Sequence, residues 1–181
     1  MVALDKPHLF SNICGTLAFC GMDILRGSAM TSRGGLVLDI FHFVDAEQFF
    51  ARNADGPARF EAQLQDVVAG RDDIAVRLLR KEKGPRHRRT ALLVTPVVQV
   101  DNEQSPTYTV LELVAQDAPG LLHRVSRVVS GHGCEVDLVL ITTEGNRAID
   151  VFHLTRAAAK LPRPLSHALK VDLERLLQEG A

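Results

Sequence analysis

The chain has 181 residues, of which 46% are hydrophobic and 24% are charged, and its formal net charge is -1. That apolar content is enough for a folded core and excludes a disordered chain, while the balanced charge provides no general attraction to nucleic acid or membranes. No apolar stretch approaches the ~20 residues that span a bilayer, and the N-terminus has no apolar run of signal-peptide length, so the expected compartment is the cytoplasm.

The first part of the chain predicts a strand, a helix, two strands and a second helix. Leu9, Ile13 and Leu17 recur at helical spacing, and we expect Pro7 to occupy the first helical position and Gly21 to end the helix. Two alternating runs joined by a glycine-rich turn then predict a hairpin. The predicted strands are residues 2–4, 24–31 and 36–44, and the second helix is residues 58–69.

The segment after this unit contains a short apolar run and then a basic stretch. Residues 74–79 are a candidate for the unit's fourth strand, and they could equally be helical. Residues 80–89, RKEKGPRHRR, predict a solvated linker. The alternative is a contact to an acidic partner or to RNA, although no aromatic side chains are interleaved to stack on bases. We therefore expect a first domain at residues 1–80, a basic linker at 81–95 and a second domain at 96–181.

The second domain repeats this order of elements, with one addition at its start. Residues 97–101 and 108–115 predict two strands joined by a turn. We expect the upstream strand to pair antiparallel with the other, in the place that a fourth strand usually fills. A helix that ends at Gly133, a hairpin and a last helix follow. Pro119 is expected to begin the first of these helices, the hairpin strands are residues 136–142 and 147–155, and the last helix is residues 164–178.

Two stretches of the chain share one sequence frame. Residues 5–43 and 117–154 both contain Asp-x-Pro-x-Leu, a helical stretch, a glycine, threonine-rich residues and Asp-[Ile/Val]-Phe-His. The second copy is one residue shorter, and we place the missing residue between Gly133 and Ile141. The duplicated β-α-β-β-α unit predicts an α+β protein with two ferredoxin-like domains in tandem, whose antiparallel sheets carry helices on one face.

These residues resemble the ACT domain family, whose usual frame is Asp-Arg-Pro-Gly-Leu after the first strand. The frame appears as Asp117-Ala118-Pro119-Gly120-Leu121-Leu122 and as Asp5-Lys6-Pro7-His8-Leu9-Phe10. Val100-Asp101-Asn102-Glu103 and Ala148-Ile149-Asp150-Val151-Phe152 are similar to the C-terminal ACT pair of bacterial protein-PII uridylyltransferase/uridylyl-removing enzymes. The resemblance implies a regulatory module without catalytic residues, which senses an amino acid, glutamine first, in nitrogen metabolism. Its implied partners are catalytic domains or a PII-type protein.

The resemblance also implies where a ligand binds, namely between paired domains, against the loop after the first strand and the opening of the second strand. A helix start offers free N–H groups and partial positive charge, which suit a carboxylate. The implied site residues are Asp117, Ala118, Pro119, Gly120, Leu121 and Leu122 in the second copy, and Asp5, Lys6, Pro7, His8 and Leu9 in the first. Because His8 replaces the family's glycine, we expect the second copy to be the better site. Asp23 and Glu135 open the second strands, where they either accept the ligand's ammonium or are solvated acids.

Other polar residues predict no catalytic, metal or cofactor site. Cys14, Cys20 and Cys134 lack the spacing of a disulfide framework or a zinc site and are expected to be small buried hydrophobic residues. Asp39 and Asp150 share a face with core phenylalanines, and we expect each to have a backbone or arginine partner. Two alternatives to the sensor stay open: a protein–protein interaction module without a small-molecule ligand and, less favoured, an enzyme. Exposed sheet edges also predict a homodimer.

Overall fold

A computed structural model describes residues 1–32, 34–82 and 94–179 of the chain. The interpretation of residues 80–89 as a linker or a contact surface falls mostly on residues that lie outside this description. The elements in chain order are β1 (Val2–Leu4), α1 (Leu9–Phe19), β2 (Met22–Thr31), β3 (Leu36–Asp45), α2 (Phe49–Arg52), α3 (Gly56–Val68), α4 (Ile74–Glu82), β4 (Val97–Asp101), β5 (Thr109–Gln116), α5 (Leu121–Gly131), β6 (Glu135–Glu144), β7 (Arg147–Thr155) and α6 (Arg163–Glu179).

The described strands form one antiparallel sheet in the order β1-β3-β2-β6-β7-β5-β4. Strand β4 pairs antiparallel with β5, with Val98 opposite Leu113 and Asp101 opposite Val110. This pairing confirms that the upstream strand fills the fourth position of the second unit. The predicted α+β class with two ferredoxin-like units in tandem is confirmed, but the two units share a single sheet instead of having one each.

The two copies meet edge to edge at β2 and β6, which pair antiparallel. The Thr31 hydroxyl donates to the Val136 carbonyl at 3.1 Å, and the Thr143 hydroxyl donates to the Ile24 carbonyl at 3.0 Å. Thr31 and Thr143 occupy equivalent places in the two copies, as do Ile24 and Val136. The junction therefore has approximate twofold symmetry, and each copy holds the opening of the other copy's second strand.

The one-residue difference between the copies lies in a hairpin turn. Strands β2 and β6 correspond residue for residue, including a register shift near the start of each. Thr31 pairs with Val37 whereas Thr143 pairs with Ala148, so the turn after β6 is the shorter one. Our placement of the missing residue before Ile141 was wrong. A deletion within a strand moves the following side chains to the opposite face of the sheet, whereas a turn absorbs it.

Residues 74–79, our candidate for a fourth strand, belong to helix α4. Ile74 and Leu78 are one helical turn apart and both are buried in a small cluster with residues of α1 and α3. The Asp73 carboxylate accepts the Ala75 N–H at 2.9 Å and so caps the start of the helix. The strand prediction was wrong because burial follows the helical period here. Among the described residues, the first unit therefore has three strands, with β1 at the edge of the sheet.

The hydrophobic core continues beneath the junction. The Phe10 ring on α1 lies 6.0 Å from the Phe41 ring and 6.4 Å from the Phe152 ring, which belongs to the second unit. Helices α1 and α5 also contact each other directly. The first unit has a further cluster of its own, which includes Ile13 and Leu17. The two units thus share part of one core, which couples their positions.

Several local predictions agree with the structure. Cys14, Cys20 and Cys134 are buried and free, which confirms that they are small core residues. Gly21 and Gly133 have φ angles of 75° and 67°, the left-handed conformation that commonly ends a helix. No helix within the described residues is long and apolar enough to cross a membrane.

Candidate ligand-binding crevice

A crevice lies where the loop before α5 meets the opening of β2. Its walls come from both halves, because Cys14 and Asp23 belong to the first unit while residues 117–122 and Asp150 belong to the second. The crevice is partly open to solvent, and its cavity volume is about 40 Å³, which is room for a few water molecules. The structure thus brings the predicted loop of the second copy together with Asp23, from opposite sides of the junction.

The loop of residues 117–122 places the start of α5 at the crevice. The Leu121 N–H donates to the Ala118 carbonyl at 3.0 Å and closes a four-residue turn. Gly120 has a φ of 77°, the positive value that the third position of a type II turn requires. Pro119 is the second residue of this turn, so our prediction that it occupies the first helical position was wrong. Proline fits there because its fixed φ matches that position of the turn.

Helix α5 begins at Leu121 without a side-chain cap. The N–H groups of a first helical turn lack partners within the helix, and the helix dipole adds partial positive charge at that end. Gly120 has no Cβ, so a ligand can approach the backbone closely. The crevice therefore offers hydrogen-bond donors and a favourable potential to a carboxylate.

The two acids predicted at the openings of the second strands lie in different places. Asp23 is half-buried and lines the crevice. Glu135 is exposed and is not part of the crevice lining, and the Thr155 hydroxyl lies 3.5 Å from its Oε2. Of these two acids, only Asp23 is positioned to reach a ligand in this crevice.

The corresponding loop of the first copy lies away from the crevice. Asp5, Lys6, Pro7 and His8 are exposed, and Leu9 is buried in the core. Because α1 begins at Leu9, Pro7 lies in a turn and our prediction of it at the first helical position was wrong. His8 has a φ of 64°, a left-handed conformation that glycine adopts at lower cost. Pro7 and His8 instead line a separate open cleft of about 480 Å³ beside the start of α4.

One buried carboxyl group in the crevice was not among the predicted site residues. Asp150 on β7 has 1% of its surface exposed and lines the crevice. Neither oxygen of Asp150 or of Asp39 has a hydrogen-bond partner among the described residues. Among the described residues, the predicted arginine partner was therefore wrong for both acids and the predicted backbone partner was wrong for Asp39, since apolar residues of the helices cover this face of the sheet in place of basic side chains.

The environment of Asp150 disfavours its charged form. Burial, with the charge of nearby Asp117, raises the pKa of the Asp150 carboxyl to about 7. The backbone of Thr142 opposes this rise without reaching hydrogen-bond geometry with either oxygen. Alternation along β7, where Ala148 and Phe152 are buried, already indicates that Asp150 faces the core. No signal in the sequence indicates that a crevice lined by the other half reaches Asp150.

Comparison with known proteins identifies the second half of the chain. Residues 109–158, which contain the loop before α5 and Asp150, match the ACT domain family. This chain contains an ACT domain. The first half has the same order of strands and helices up to the second helix of the unit, and it forms the other member of the tandem.

Curated relatives that match most or all of the chain are described as bifunctional uridylyltransferase/uridylyl-removing enzymes. The protein from Rhodospirillum rubrum is 31% identical over 189 residues, which covers 98% of this chain and 20% of the relative. The protein from Azospirillum brasilense is 34% identical over 154 residues, which covers 84% of this chain and 16% of the relative. The protein from Novosphingobium aromaticivorans is 32% identical over 181 residues, which covers 100% of this chain and 20% of the relative. The tandem ACT chain thus spans a fifth or less of the length of these relatives.

The first ACT-like unit has an equivalent of Asp150 in Asp39. Asp39 also has 1% of its surface exposed, and burial raises the pKa of its carboxyl to about 6. It does not line the crevice of the ACT domain. The two carboxyl groups therefore share a position in the fold but differ in their access to the cavity. Within the described ranges, no three histidine, cysteine, aspartate or glutamate side chains cluster as metal ligands.

His123 on α5 connects the crevice of the ACT domain to the first unit. Its Nδ1 lies 2.7 Å from the Ser11 carbonyl on α1, so Nδ1 carries the proton and donates. Burial lowers the pKa of the His123 imidazole, which keeps the ring neutral. Gly15 leaves room for this ring, because a Cβ at Gly15 would lie 2.7 Å from Nδ1. The start of α5 is thereby held against α1.

Proposed function

We propose that this chain is a regulatory module that binds a small amino acid in the crevice between its two ACT-type units, with glutamine as the first candidate. The observation that supports this most directly is the composition of the crevice. An uncapped helix start from one unit and the carboxylate of Asp23 from the other line the same cavity. A zwitterionic amino acid needs that combination, a donor group for its carboxylate and an acceptor for its ammonium.

In this proposal the α-carboxylate of the ligand accepts hydrogen bonds from the N–H groups of Gly120 and Leu122 at the start of α5, since the Leu121 N–H already donates to the Ala118 carbonyl. Asp23 accepts from the ammonium group across the junction. The first-copy residues Asp5, Lys6, Pro7, His8 and Leu9, together with Glu135, contribute no contact to this ligand. The ligand therefore joins the two units, and its binding energy depends on their relative position.

The size of the crevice supports coupling between binding and movement. A volume of about 40 Å³ holds water molecules but not an amino acid, so the crevice must open when the ligand enters. Opening requires that the loop of residues 117–122 moves away from the start of β2. Such a movement at the junction is the signal that the module transmits to its partner.

We further propose that the module controls an enzyme that adds and removes uridylyl groups, as the names of its relatives indicate. The chain spans a fifth or less of those relatives, so their catalytic activity belongs to other parts of such a protein. In this role the chain acts in nitrogen metabolism, alongside catalytic domains or a PII-type protein, and it associates as a homodimer.

A second candidate function, a protein–protein interaction module without a small ligand, is supported by the open face of the sheet. Met30, Leu38, Ile40 and Leu140 lie on the face away from the helices and are 43%, 39%, 46% and 50% exposed. Several adjacent exposed apolar side chains are typical of a surface that contacts another protein. Co-purification with a protein partner, without any response to amino acids, would favour this candidate.

The experiment that separates the two candidates is a thermal-shift and calorimetry screen of the chain against the twenty common L-amino acids. The proposal predicts a response to glutamine of about 2.7 kcal/mol in the free energy of unfolding at a hundredfold excess over the dissociation constant. Asp23→Asn should weaken binding, whereas Glu135→Gln, the matched control at the equivalent strand opening, should not. A flat profile across all amino acids would contradict the sensor.

A further inference from the structure

The crevice contains an acid that the proposed contacts leave unused. Asp150 is 1% exposed and lines the cavity, with neither oxygen hydrogen-bonded among the described residues. A buried carboxylate without a partner is strongly unfavourable, so such a group is either protonated or paired with a cation. The part of the chain that the structure describes provides the cavity beside it but no cationic side chain in that cavity.

The charged and titratable groups that line the crevice with Asp150 come from four directions. Asp23 comes from β2, Asp117 from the loop, Cys14 from α1 and His123 from α5. Burial raises the pKa of the Cys14 thiol, and His123 is neutral, so neither provides a positive charge. No lysine or arginine lines the crevice in the described part of the chain. Among the described residues, none therefore offers a positive charge to Asp150 inside this cavity.

We propose that Asp150 is the principal acceptor for the ammonium group of the bound amino acid, and that Asp150 releases a proton to solvent as the ligand binds. This inference rests on the proposed function. It adds Asp150 to the residues that contact the ligand and adds the release of one proton to the binding reaction. The contact is stronger than that of Asp23, because Asp23 is half-buried and water screens its charge. The ligand class follows, namely molecules with a free ammonium and a carboxylate on neighbouring atoms.

The proton balance follows from the environment of the acid. In the free protein the pKa of Asp150 is raised to about 7, so the neutral acid is well populated at neutral pH. The ligand enters with its ammonium already charged, the Asp150 proton leaves to solvent, and an ion pair without net charge remains in the cavity. The pKa of Asp150 is therefore lower in the complex than in the free protein.

The difference between the pKa of Asp150 in the free protein and in the complex determines whether affinity rises or falls with pH. Because binding releases a proton, affinity rises with pH up to about the pKa of the free protein and levels off above it. Only the ionised form pairs with the ligand, so a pKa of about 7 makes binding about tenfold weaker at pH 6 than at pH 8.

The test is isothermal titration calorimetry of the chain with L-glutamine at pH 6 and pH 8, in two buffers of different ionisation enthalpy. We expect binding to be about tenfold weaker at pH 6, with release of about 0.9 proton per ligand at pH 6 and about 0.1 at pH 8. Asp150→Asn should weaken binding at pH 8 by at least about tenfold and remove the pH dependence. Asp39→Asn, the matched control at the equivalent position outside the crevice, should behave as the wild type. N-acetyl-L-glutamine, which has no ammonium, should not bind.

The outcomes separate this inference from the proposed function. If the wild type binds glutamine without proton release between pH 6 and pH 8, the role of Asp150 is refuted and the sensor stands. Unchanged affinity in a folded Asp150→Asn variant has the same meaning. Absence of binding by every amino acid to the wild type overturns both proposals. The wild-type proton measurement decides the question even if the variant does not fold.

Discussion

The buried acid of the ACT domain has a consequence for stability that needs no ligand. Asp150→Asn replaces the carboxyl group by a neutral group of the same shape. The folded-state pKa of Asp150 is about 7, above the ordinary 3.8, so the native state binds more protons than the unfolded state between these values. The free energy of unfolding therefore falls as pH rises through this range.

The magnitude follows from the two pKa values. The contribution of Asp150 to the free energy of unfolding should be lower at pH 8 than at pH 5.5, by on the order of 2 kcal/mol. The wild type should lose that much stability over this interval beyond what Asp150→Asn loses. Asp39→Asn should remove a smaller part of the slope, because the pKa of Asp39 is raised only to about 6.

The assay is urea denaturation of the wild type and both variants at pH 5.5, 6.5, 7.5 and 8, with linear extrapolation to water. Equal m-values among the three proteins would show that the comparison concerns stability alone. If wild type and Asp150→Asn lose stability in parallel over this range, Asp150 is not a buried acid of raised pKa, and the argument built on its burial is refuted.

Two further predictions concern the contacts that hold the units together. Gly15→Ala should lower the free energy of unfolding by about 1–3 kcal/mol, because the added Cβ would meet a buried imidazole on α5 at 2.7 Å. Gly131→Ala in α5, where a Cβ meets nothing within 4 Å, is the control and should be neutral or slightly stabilising in the same urea titration. Thr31→Val and Thr143→Val should each cost about 1 kcal/mol, because each removes one hydroxyl that donates across the junction. Equal stability of the double variant and the wild type would show that these bonds do not fasten the units.

The sequence predicted most of the local structure because the relevant signals are local. The apolar periods, the glycines at helix ends and the Asp-x-Pro-x-Leu frame each reflect backbone geometry over a few residues. The hairpin of β4 and β5 was also predictable, because one turn joins two adjacent strands. These signals were sufficient for the tandem ferredoxin-like fold.

The features that were not predicted depend on distant contacts. The pairing of β2 with β6 joins strands from different repeats, and neither strand differs visibly in sequence from an ordinary edge strand. The composition of residues 74–79 is compatible with a strand, and the helix is favoured only by packing against α1 and α3. Asp150 was placed on the core face correctly, but its access to the crevice depends on how the first unit lies against the second.

The asymmetry between the two loops was predictable only in part. The histidine at position 8 indicated that the first copy departs from the glycine-containing frame of the family. The structure adds that the first loop is exposed while the second is half-buried beneath the opening of β2. Whether this difference makes the second copy the better ligand site remains a prediction.

The central claim is that one amino acid binds between the units, at the start of α5. The most direct test is a titration of the isotopically labelled chain with L-glutamine, followed by ¹H–¹⁵N correlation spectra. The account predicts saturable shifts at the amides of Gly120, Leu121 and Leu122 and at those of residues 22–24, with little change at residues 6–9. Shifts confined to residues 6–9, or no saturable shift at any amide of the ACT pair, would contradict it.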